Sequence, residues 1–63
     1  MLVTFTDLKT NNPFAINPDH VVGVFVGIEG ESEGKTLITL DGGSIVVSED
    51  YSTVVSRLNT EMI

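Results

Sequence analysis

The sequence predicts a mainly β fold of the α+β class: a five-stranded, strongly bent antiparallel sheet or small partly open barrel, with one C-terminal helix. Three observations carry this. Short runs of apolar and β-branched residues alternate in period two. Turn-forming residues separate them by only a few positions, and short connections make neighbouring strands antiparallel. After Ser48 the apolar period changes to three and four, the spacing of one helix face.

The elements follow in order along the 63 residues. Residues 2–7 alternate, with Val3 and Phe5 on one side and Thr4 and Thr6 on the other. Lys9 to Pro13 reads as a turn. Phe14 to Ile16 is a short second strand. Asn17-Pro18-Asp19 reads as a type I turn, with proline fixing φ at its second position. Val21 to Glu29 is the longest strand. Its even positions, Val22, Val24, Val26 and Ile28, form one aliphatic face. Val21, Gly23, Phe25, Gly27 and Glu29 lie on the other. Gly30 to Gly34 is expected to be an acidic, flexible loop. Lys35 to Leu40 and Ser44 to Val47 are the last strands, joined by the tight turn Asp41-Gly42-Gly43. Ser48 is a candidate helix N-cap, with Glu49 and Asp50 placed at the positive end of the helix dipole. The helix is expected from about 49 to 61, with Tyr51, Val54, Val55, Leu58 and Met62 along one stripe. Val3, Phe5, Ile16, Val22, Val24, Ile38, Ile45, Val55 and Leu58 are expected to be buried together.

A chain this short buries only about 60% of its unfolded surface. Such chains usually gain stability from disulfides, a metal or an oligomer contact. There is no cysteine and only one histidine, so disulfides and thiolate metal sites are excluded and no metal or cofactor is expected. Nine acids against three bases give a net charge of −6. That argues against nucleic acid, which demands clustered Lys and Arg. No apolar run approaches the length of a membrane span, and the first residues lack the basic region of a signal peptide. The expectation is a soluble, cytoplasmic protein of one domain.

The third strand is apolar on both sides, while a single sheet carrying one helix needs only one apolar face. Leu37 and Val46 add to the second face. Barrel closure or another subunit would cover it, with Gly23 and Gly27 as bends in the first case and as points of close approach in the second. A homodimer or higher homo-oligomer is the expectation.

Motifs that suggest chemistry are weak. Gly30 to Thr36 contains Gly-Lys-Thr, but only three residues separate its glycines and a strand follows, so it is not a phosphate loop. Glu29, Glu31 and Glu33 lack the further ligands of a calcium site. His20 beside Asp19 has no nucleophile motif around it. The expectation is therefore a protein that is not an enzyme.

Ile16-Asn17-Pro18-Asp19-His20-Val21-Val22-Gly23-Val24, then Thr36 to Gly43, then Val46-Val47-Ser48-Glu49 before an amphipathic helix, resembles the FlbD family of small flagella-associated proteins. It is also similar to small bacterial and phage proteins of the same layout. The resemblance spans residues 14–58, and implies this fold and a structural or regulatory adaptor role without catalysis. The residues themselves favour a non-enzymatic, homo-oligomeric binding module. Its partner would be a small ligand or a host protein, as for a phage accessory protein that sequesters a nucleotide-like signal or blocks host defence. Candidate ligand-binding residues are Asn17 and His20 in the turn, Phe25 on the glycine face, the cations Lys35 and Arg57, and Ser48 and Tyr51 at the helix start, where free N–H groups receive anions.

Overall fold

A computed structural model describes the backbone of residues 1–62 and the side chains of residues 1–60. Five strands form two antiparallel sheets, and a single α-helix follows them. β1 (Val3–Thr6) pairs with β2 (Pro13–Ile16), placing Val3 opposite Ile16 and Phe5 opposite Phe14. β3 (Val21–Val26), β4 (Thr36–Leu40) and β5 (Gly43–Val47) form the second sheet in that order. α1 spans Tyr51–Met62.

The mainly β composition and the C-terminal helix match the sequence reading. The single bent sheet does not appear, and no barrel closes. Where β1 runs out, the two sheets touch at one bridge, Asp7 with Val47. Ser48 N–H donates to the Thr6 carbonyl at 2.9 Å and Leu8 N–H to the Val46 carbonyl at 3.0 Å. On the other side β2 and β3 are not paired, because the chain turns between them through a 3-10 turn at Pro18–His20. α1 packs against β1, β3 and that turn, so it spans both sheets.

The core consists of Val3, Phe5, Ile16, Ile38, Val47, Val54 and Leu58, with Phe14, Val21, Val24, Leu40 and Ile45 packed against it. Two expected members differ. Val55 is only half-buried, and its neighbour Val54 is fully enclosed. Val22 is exposed. The cause is a register shift in β3: Val21 pairs with Leu40, and the next pair is Gly23 with Thr39. Two residues of β3 thus span one step of β4, which is a β-bulge. An extra residue reverses side-chain parity. Val21 rather than Val22 therefore joins Val24 on the core side.

Gly23 in β3 and Gly27 just beyond it also have intrachain reasons. The space above Gly23 is taken by the Phe25 ring, whose nearest carbon lies 3.1 Å from where a Cβ would stand. A Cβ on Gly27 would collide with the carbonyl of Ser32. The connection from β3 to β4, of which Gly30 to Gly34 was expected to be a flexible loop, folds back on Gly27 and is bonded closed. Gly27 N–H donates to Lys35, Gly34 N–H to Gly27 and Lys35 N–H to Ser32, each at 2.9 Å. Its Gly30–Ser32 segment is a 3-10 turn.

The helix begins two residues later than expected. Its cap is Asp50, whose carboxylate accepts the Thr53 N–H at 2.8 Å, and not Ser48, whose N–H is used between the sheets. The expected stripe member Met62 lies outside the residues with described side chains. Among the described residues, no helix is long and apolar enough to cross a membrane.

Candidate functional site

Antiparallel partners point to the same side of a sheet. The pairs Phe25–Leu37 and Leu37–Val46 therefore align Phe25, Leu37 and Val46 across the outer face of β3, β4 and β5, opposite the buried row of Ile38. This is the second apolar face anticipated from the alternation, and α1 does not lie on it.

A cleft of about 430 Å³ occupies one end of this face, between the folded loop and the chain that leaves β1. Leu8, Leu37 and Val46 form its apolar part, and Glu29, Glu31 and Lys9 its charged rim. Local structure fixes each wall. Leu8 is held by its bond to Val46. Lys9 is held by an Asx turn in which Asp7 Oδ1 accepts the Lys9 N–H at 2.8 Å. The glutamates ride on the loop that Gly27 admits.

The residues singled out from sequence are dispersed. Asn17 Oδ1 accepts the Asp19 N–H at 3.0 Å and its carbonyl accepts the His20 N–H at 3.0 Å, which makes Asn17 a turn-forming residue. His20 Nδ1 lies 2.9 Å from Asp41 Oδ2, linking the turn to the β4–β5 hairpin at an exposed position. Phe25 lies on the outer face, beside the cleft. Lys35 is exposed where its backbone closes the loop. Ser48 and Tyr51 flank the start of α1, and both are exposed. The Asp50 carboxylate takes one of the free N–H groups there and opposes an anion at the rest. Thr53 holds the Asp50 pKa below its usual 3.8, through its hydroxyl first and its N–H second.

Arg57 Nη1 donates to the Thr4 carbonyl at 2.9 Å and to Glu49 Oε2 at 3.5 Å, and its guanidinium sits 5.6 Å from the Phe5 ring centre. It borders a second groove of about 450 Å³ with Leu2, Val3, Thr4, Ser56 and Thr60. The one charged group there is committed to holding α1 on β1, so this groove is the weaker binding candidate.

Among the described residues, no group of three or more His, Asp or Glu is placed to hold a metal ion. Of the cleft residues, Leu37 and Val46 were visible in the sequence only as members of an apolar alternation and Lys9 only as part of a turn, while Leu8 fell between the first strand and that turn. No spacing rule links residues 8, 37 and 46, which meet through the Leu8–Val46 hydrogen bond and the β4–β5 register.

No family model, curated protein or solved structure matches the chain.

Proposed function

We propose that this protein is a non-enzymatic, self-associating binding module that captures a partner protein through the outer face of its β3–β4–β5 sheet. The observation that carries this reading is the cleft with an apolar floor of Leu8, Leu37 and Val46 and a rim of Lys9, Glu29 and Glu31. Binding sites combine apolar lining with a few polar groups that fix orientation. An apolar side chain suits this floor, and a basic neighbour suits the two carboxylates. A nucleotide-like ligand is the weaker choice, because its phosphates would meet two carboxylates and one cation in the cleft. The net charge of −6 opposes it further.

The test is titration with two peptide series that carry one leucine, flanked either by arginine or by glutamate. The expected result is binding of the basic series only, weakened at least tenfold by Leu37→Asp and weakened by salt. Native mass spectrometry of the purified protein runs beside it. A retained nucleotide whose binding is indifferent to Leu37→Asp would replace this reading with a ligand trap at another site. Equal binding of both peptide series would overturn it.

A further inference from the structure

The β3 strand leaves one edge of its sheet open. Gly27 directs both its N–H and its carbonyl toward the β4 side, to Lys35 and Gly34. Backbone direction alternates along a strand. The N–H and C=O groups of Val24 and Val26 therefore point away from β4, and among the described residues no hydrogen bond from another element reaches them. Open edges are usually blunted by charge, proline or cover. From Val21 to Ile28 there is no charged residue and no proline. The apolar side chains along this edge are bare instead: Val22 is 69% exposed, Phe25 55%, Val26 47% and Ile28 87%.

We infer that this edge is where a second copy of the chain docks, by antiparallel β3–β3 pairing about a two-fold axis at Phe25. The inference rests on the self-association in the proposed function and names its interface. The pattern of free groups is self-complementary. With Phe25 on the axis, Val24 of one copy faces Val26 of the other, and each pair exchanges both N–H···O=C bonds. The two Phe25 rings meet as a non-hydrogen-bonded cross-strand pair, the closer kind, in which aromatic contacts stabilise most. Val22 comes opposite Ile28, joining the two most exposed valine and isoleucine positions of the edge. Glu29 comes opposite Val21, so no like charges face each other.

A partner of opposite charge would be drawn to the acidic surface elsewhere, whereas this edge is neutral and matches itself. A stable interface takes about 800 Å² from each partner, a large share of the 4210 Å² surface. One strand edge with four apolar side chains makes a small interface, so the dimer is expected to dissociate on dilution. Each copy carries a charge of −6, so salt strengthens the dimer by screening repulsion.

The chain has no cysteine, so Phe25→Cys introduces a single thiol on the axis. A non-hydrogen-bonded antiparallel pair, with Cα atoms about 4.5 Å apart, lies within disulfide reach. The experiment combines light scattering of the full chain at low and high salt with oxidation of Phe25→Cys and, as a control, Ser44→Cys on β5. The expected results are a dimer mass that grows with salt, covalent dimer from Phe25→Cys at least tenfold faster than from Ser44→Cys, and a folded monomer for Phe25→Asp. A dimer mass with equal cross-linking of the two thiols would overturn this interface and leave self-association standing. A monomer mass at all concentrations would overturn both.

Discussion

The Glu49 carboxylate clasps Thr6 by two bonds: Oε1 accepts the Thr6 N–H and Oε2 accepts the Thr6 hydroxyl, each at 3.0 Å. This ties the end of β1 to the segment before α1, and Arg57 reaches into the same cluster from the helix. Glu49 is only 15% exposed. Burial by itself raises its pKa. The bonds from Thr6, its own backbone N–H and the charge of Arg57 outweigh burial, and the net result lies below the usual 4.5.

A lowered pKa in the folded state means that ionised Glu49 stabilises the fold. That contribution is fully present above pH 4.5 and disappears as pH falls through the lower folded value. Glu49→Gln offers one acceptor where the carboxylate offers two, and it should cost about 1–3 kcal/mol at neutral pH. Urea unfolding between neutral and acid pH checks this. The gap between wild type and variant should narrow below pH 4.5, and a constant gap would refute the clasp as a charged contact.

The bulge makes a prediction about core residues. Leu58 is buried and Val22 is not. Leu58→Ala should cost about 2–5 kcal/mol, a large part of the stability of so small a domain. Val22→Ala should change monomer stability by less than about 0.5 kcal/mol. Thermal unfolding of dilute protein measures both, and equal losses would show that Val22 packs inward.

Gly27 is needed for its missing Cβ. Gly27→Ala places a carbon against the Ser32 carbonyl and should cost about 1–3 kcal/mol, as overpacking does. Gly42, which has open space around it, is the control. The same Gly27 change should also weaken peptide binding at the cleft, because Glu29 and Glu31 ride on the displaced loop. Hydrogen exchange at Gly34 and Lys35 reports the loss of the loop bonds directly.

The helix cap is tested by comparing Asp50→Ala with Ser48→Ala. Asp50 accepts the Thr53 N–H, so its removal should lower the thermal midpoint. Ser48→Ala leaves the backbone bond to Thr6 in place and should leave the midpoint near wild type. The reverse order would move the helix start back to Ser48.

The sequence by itself determined the local elements. Alternation located the strands and the three-four stripe located the helix, because those periods reflect local backbone geometry. Asn17-Pro18-Asp19 specified its turn through the Asn17 side chain, which accepts the Asp19 N–H, and through the fixed φ of Pro18. The acidic charge and the absence of cysteine were likewise complete in the composition. Tertiary structure decided what depends on distant pairing. An inserted residue in β3 set which of Val21 and Val22 faces the core, and only the register with β4 reveals that insertion. Gly23 and Gly27 could be read as bends or docking points until the Phe25 ring and the Ser32 carbonyl were found over them. Leu8, Leu37 and Val46 become one cleft only when the chain leaving β1 bonds to β5. Periodicity reports which side of its own strand a residue occupies, whereas a site is made by the side of another strand that it meets.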